Sequence, residues 1–122
     1  MQVEIPEYYH KEAESFKGLM PDLVKGLLPL DGIKPLFDED HKEMYLNWNW
    51  RPSLTVIGID DIPPTTKAGN VIRKSTKFAV SIWVPPSLKG EYVYDYVKKT
   101  LEHNPPYGAR VRVEKMGVSN GY

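Results

Sequence analysis

The chain has 122 residues, with sixteen basic side chains balancing sixteen acidic ones, 41% hydrophobic content and no cysteine. That length fits one domain with a core to bury, and zero net charge offers no long-range field, so neither nucleic acid nor membrane is expected as a partner. The missing cysteine removes disulfides, thiolate metal sites and cysteine nucleophiles, and fits a reducing compartment.

"MQVEIPEYYH" is charged and broken by proline, with none of the apolar run of a secretion signal. No apolar stretch approaches the roughly eighteen residues of a membrane span. The sequence therefore reads as soluble and cytoplasmic. There is no internal repeat; a helical, proline-punctuated front (residues 1–47) gives way to a strand-rich back (residues 48–122).

In the front, Tyr9, Ala13, Phe16, Met20, Leu23 and Leu27 recur at spacings of four and three, which predicts one apolar helical face. Pro21 interrupts it. Gly18 suits a C-terminal cap and Pro21 a first-turn position, so two short helices are expected. Pro29, Gly32 and Pro35 mark irregular chain. "DEDHKEMYL" predicts one more helical turn, capped by Asp38 or Asp40.

The period then changes. In "SLTVIGI", Leu54 and Val56 share one side while Thr55, Ile57 and Ile59 share the other, so a strand covered on both faces is expected. A turn-rich loop with Pro63, Pro64 and Gly69 follows. The clearest strand is Thr76, Phe78, Val80, Ile82 and Val84 alternating with Lys77, Ala79, Ser81 and Trp83, and Pro85–Pro86 end it. "SLKGEYVYDYVKKTLEHN" predicts a helix with Val93, Val97, Thr100 and Leu101 inward and Ser87 as its cap. "NPPYG" breaks that helix, and "ARVRVE" predicts a last strand. The sum is an α+β fold: an antiparallel sheet with helices packed mainly on one face, plus an N-terminal helical segment.

Chemistry is sparse in this sequence. His10, His41 and His103 lack partners at ligand spacing and read as solvated surface residues. Asp38–Asp40 and Asp60–Asp61 suit a cation or acid–base work, but helix capping and turn preference already account for them, and that structural reading is favoured. "NWNWR" offers Trp48 and Trp50 either as a stacking platform or as packing at a domain boundary. Asn70 and Arg73, at the mouth of the central strand, can meet an anion such as a substrate carboxylate, or can be plain turn residues.

Taken in order, "WRPSLTVIGIDDIPP", "AGNVIRKSTKFAVSIWVPPSL", a helix and "NPPYGARVRVE" resemble the lid domain of M20 metallopeptidases. That family includes carboxypeptidase G2-like enzymes, dipeptidases and acetylornithine-type deacylases. The resemblance covers residues 50–114, and the front segment looks like the insertion of the dipeptidase-like branch. It implies a ferredoxin-like lid of four antiparallel strands and two helices, here without its first strand–helix pair. It also implies a homodimer contact through the lid sheet or helix. The parent's separate catalytic domain would hold two zinc ions; their His-x-Asp and Glu-Glu ligand motifs are absent from this chain, which implies no cofactor and no catalytic residue of its own. The family position held here by Asn70 contacts substrate. The position two after the serine of "SI-x-VP", commonly an arginine that grips the substrate carboxylate, is Trp83 here. An indole cannot form that bidentate pair; Arg73 is then a candidate substitute, and Trp83 either caps a larger or apolar substrate end or simply packs against the helical segment. A stand-alone small-molecule-sensing α+β regulatory domain is the rival reading.

Overall fold

The computed structural model describes residues 1–27, 32–35 and 39–121, with the backbone alone at Lys25 and Leu27. In chain order the elements are α1 (Glu7–Phe16), α2 (Met20–Leu27), α3 (His41–Asn49), β1 (Ser53–Asp60), β2 (Lys77–Trp83) and α4 (Gly90–Glu102). This is an α+β chain whose sheet is an antiparallel pair. It divides into two compact units: a helical one, Met1–Pro52 with Val84–Tyr122, and the hairpin Ser53–Trp83.

In the helical unit, α1 and α2 form as the two short helices expected, separated by a single 3-10 turn at Lys17–Leu19. Gly18 lies inside this turn without left-handed backbone, so it is not the cap; the break is a local tightening. Pro21 stands in the first turn of α2, where its missing N–H costs no bond. Ala13 and Met20 are buried, whereas Phe16 and Leu23 stay half-exposed. The side chain of Leu27, the last of the predicted stripe, lies outside the described residues.

Aromatic pairs lock α1 to α3. Tyr9 packs on Trp50 with ring centroids 3.7 Å apart, and Phe16 stacks on Tyr45 at 5.5 Å with the planes 5° from parallel. Met44 and Leu46 deliver the buried face of α3. Burial holds the Tyr45 hydroxyl's pKa above the usual phenol value, with the Glu12 charge adding to it. α3 runs nine residues, longer than the one turn expected. Asp40 is its cap, accepting the Glu43 N–H at 3.0 Å, while Asp38 lies outside the described residues.

α4 begins at Gly90, not near Ser87, and the cap position is Lys89, which offers no side-chain acceptor. Its inward residues are Val93 and, half-buried, Val97; Leu101, expected inward, is exposed. After the turn at Pro106–Gly108, residues 109–114 join no ladder among the described residues, so the predicted last strand does not form. Alternation defines an extended segment, but a strand needs a second backbone. Here α4 supplies side chains instead: Val113 donates its N–H to the Glu102 carboxylate at 2.7 Å, and its carbonyl accepts from Lys98 Nζ at 3.3 Å.

In the hairpin, Leu54 pairs with Ile82 and Val56 with Val80; a bulge at Ile57 follows, and the register resumes with Gly58 opposite Ala79 and Ile59 opposite Phe78. One extra residue reverses the alternation from that point on. Ile59 therefore shares a face with Leu54 and Val56, rather than with Thr55 as strict alternation predicts. The result is one wholly apolar face: Leu54, Val56, Ile59, Phe78, Val80 and Ile82. Five of the six are between 42% and 59% exposed, so within the hairpin this face of β1 lacks the cover expected of it among the described residues.

Candidate functional site

Residues 61–76 connect the two strands, a longer excursion than a hairpin needs, and loops of this length usually serve function. Asp61 opens the loop in the left-handed region (φ 64°), a conformation aspartate tolerates better than most side chains. A 3-10 turn follows at Thr65–Lys67. Val71 then donates its N–H to the Gly69 carbonyl at 2.9 Å, a three-residue turn with Asn70 at its centre. This tight reversal turns the next two side chains outward: Val71 is 78% exposed and Ile72 98%.

Asn70 and Arg73 thus sit within one exposed loop, three residues apart, both open to solvent. Trp83 does not join them. It is the last residue of β2, paired with Ser53, about 20 Å along the strand from Lys77 at ~3.4 Å per residue. At 70% exposed, Trp83 forms one end of the hairpin while Asn70 and Arg73 occupy the other.

The loop and its exit carry Lys67, Arg73, Lys74 and Lys77 against Asp60 and Asp61, and among the described residues none of these four cations enters an ion pair. The balanced total charge conceals this local surplus, and only a count by segment reveals it. A loop presenting an amide, four unpaired cations and two bare apolar side chains can receive an anion beside an apolar group.

Among the described residues the helical unit gathers no comparable set. His10 lies on α1, His41 opens α3 and His103 ends α4, and among the described residues no three His, Cys, Asp or Glu side chains come close enough to hold a metal ion. Trp50 is used in packing against Tyr9, whereas Trp48 is half-exposed. An open groove of about 340 Å³ runs along α1 between Tyr8 and Phe16, floored by Lys11, Glu12 and Ser15. Among the described residues no helix is long and apolar enough to cross a membrane.

No protein-family model matches the chain. Over 93 residues, 76% of its length, it is 28% identical to a cysteinylglycine-S-conjugate dipeptidase of Corynebacterium striatum. The aligned stretch covers 20% of that dipeptidase, so the chain spans about a fifth of the length of the curated relative it matches.

Proposed function

We propose that this chain is the non-catalytic dimerisation and substrate-lid portion of an M20-type zinc-dependent peptidase or deacylase. The similarity to a dipeptidase over only a fifth of that protein carries the reading. It is supported by the order of motifs across residues 50–114 and by the exposed loop that presents Asn70 and Arg73. In this reading the two zinc ions and the bond-breaking groups belong to a catalytic domain in the rest of the parent polypeptide, and a second copy of the lid completes a homodimer. Asn70 and Arg73 meet the anionic end of a peptide or N-acyl substrate, the loop closes over it, and Trp83 covers an apolar part of the complex.

Two experiments test this reading. The coding region on either side of the segment should encode His-x-Asp and Glu-Glu motifs upstream and a histidine downstream. In the enzyme so defined, Arg73→Ala should raise KM about tenfold or more with little change in kcat, the loss of one charge-assisted contact. Unchanged KM for both Asn70→Ala and Arg73→Ala would remove the loop from the substrate site. Flanking sequence without those motifs would remove the peptidase itself, and a metabolite that specifically raises the melting temperature of the isolated chain would replace it with a sensor.

A further inference from the structure

The segment after the Pro106–Gly108 turn runs back along α4 and touches it at successive heights. Val113 meets Glu102 and Lys98 near the helix C-terminus. Lys115 pairs with both carboxylate oxygens of Glu91, at 3.1 and 3.0 Å, and its ammonium lies 5.1 Å from the centre of the Tyr94 ring. Asn120 Oδ1 accepts the Gly90 N–H at 3.1 Å. Beyond it the backbone of Gly121 lies against the carbonyls of Val84 and Pro85, so close that an added Cβ would stand 2.6 Å from the Val84 oxygen. At Gly90 an added Cβ would come within 2.5 Å of Val118 Cγ1 and 3.0 Å of the Ser119 carbonyl carbon. Both positions therefore need glycine for close approach, not for an unusual backbone angle.

We infer that residues 113–121 form a releasable strap that supplies the missing N-cap of α4 and binds the helix start and Val84–Pro85 into one joint. The sequence of α4 leaves the Gly90 N–H without a local acceptor: the Lys89 carbonyl takes the Val93 N–H at 3.2 Å, and the Lys89 side chain can only donate. Asn120, thirty residues further on, fills that role for Gly90. Order in the first turn of α4 is thereby conditional on the strap being seated. The anchors are individually modest, and the strap's ion pair, Lys115 with Glu91, is exposed, so the strap can peel from its Gly121 end without opening the α1–α3 core. The inference stands on contacts inside the helical unit and is independent of the proposed peptidase role.

Amide hydrogen exchange on the whole chain tests it. Asn120→Ala should speed exchange of the Gly90–Val93 amides about fivefold, the size expected for loss of a helix cap, with the amides of α1 and α3 unchanged. Asn120→Asp keeps an acceptor and places negative charge at the helix start, so protection should persist or rise. Gly121→Ala should mimic Asn120→Ala and extend the change to Leu88, whose N–H bonds the Pro85 carbonyl. Unchanged exchange at Gly90–Val93 in Asn120→Ala would overturn the strap. So would a uniform rise across all helices, which would mark Asn120 as a general stabiliser. If Gly121→Ala fails to fold, the contrast between the alanine and aspartate variants at Asn120 decides.

Discussion

Leucine to alanine, made once in each unit, separates a closed core from an open face. Leu46 on α3 is fully buried, and removing its isobutyl group both exposes apolar lining and leaves a void, at a cost of about 3 kcal/mol. Against a urea dependence of about 2 kcal/mol per molar, the unfolding midpoint should fall by about 1.5 M. The helical circular dichroism signal reports this directly, because the four α-helices among the described residues belong to the helical unit. Leu54 on β1 is 59% exposed, so only about two-fifths of its transfer free energy is at stake and no cavity remains; the loss should stay near or below about 1 kcal/mol. It is read from exchange of the amides paired across β1 and β2. If Leu54→Ala proves as costly as Leu46→Ala, the hairpin face is covered and the reasoning from its exposure is wrong. A cost below about 1 kcal/mol at Leu46 would refute the placement of the core.

Asp40→Ala should cost about 1 kcal/mol, because the Glu43 N–H loses its acceptor, and Asp40→Ser should recover most of it; equal melting points for the two variants would refute the cap. The Val113 anchor should be acid-labile. The Val113 N–H first, and Lys98 second, hold the Glu102 carboxyl below its usual pKa, so the contribution is fully present above the ordinary value and is lost as pH falls through the folded one. Lys98, raised by Glu102, works the other way and loses its share only as pH climbs through its folded value; Tyr94 and Arg112 are the other charges or ionisable groups acting on it. The Val113 amide proton should therefore titrate with a midpoint below the ordinary carboxylate pKa of 4.5, and Glu102→Gln should abolish that titration. A midpoint at or above 4.5 would refute the contact.

Much of this was legible locally. The Pro21 break, the Asp40 cap and the end of β2 before Pro85–Pro86 each follow from backbone chemistry within a few residues. What failed needed partners distant in sequence. Residues 109–114 alternate correctly, yet nothing local says whether a second backbone lies alongside, and α4 side chains took that place at Val113. Ser87 looked like a cap because local chemistry favours it, whereas the acceptor for Gly90 came from Asn120. At the candidate site, Asn70 and Arg73 were visible as turn chemistry. The cluster with Lys67, Lys74 and Lys77 was hidden by a balanced total, and the separation of Trp83 from the loop follows from strand length.

The bulge at Ile57 bears on what the hairpin is for. Strict alternation would have put Ile59 beside Thr55 and left apolar groups on both faces. The extra residue gives up one ladder position and gathers Leu54, Val56, Ile59, Phe78, Val80 and Ile82 on one side, leaving Ser53, Thr55, Gly58, Asp60, Lys77, Ala79, Ser81 and, at the end of the strand, Trp83 on the other. That is the pattern of a sheet with one face buried and one wet, and register is strongly specified only where burial enforces it. Two strands alone are marginal in water, and six large apolar side chains on one open face form a patch at or beyond the few hundred Å² that a soluble monomer ordinarily exposes. The hairpin therefore has the surface of a component built to be covered on its apolar side while its loop, with Asn70 and Arg73, reaches away from the strands.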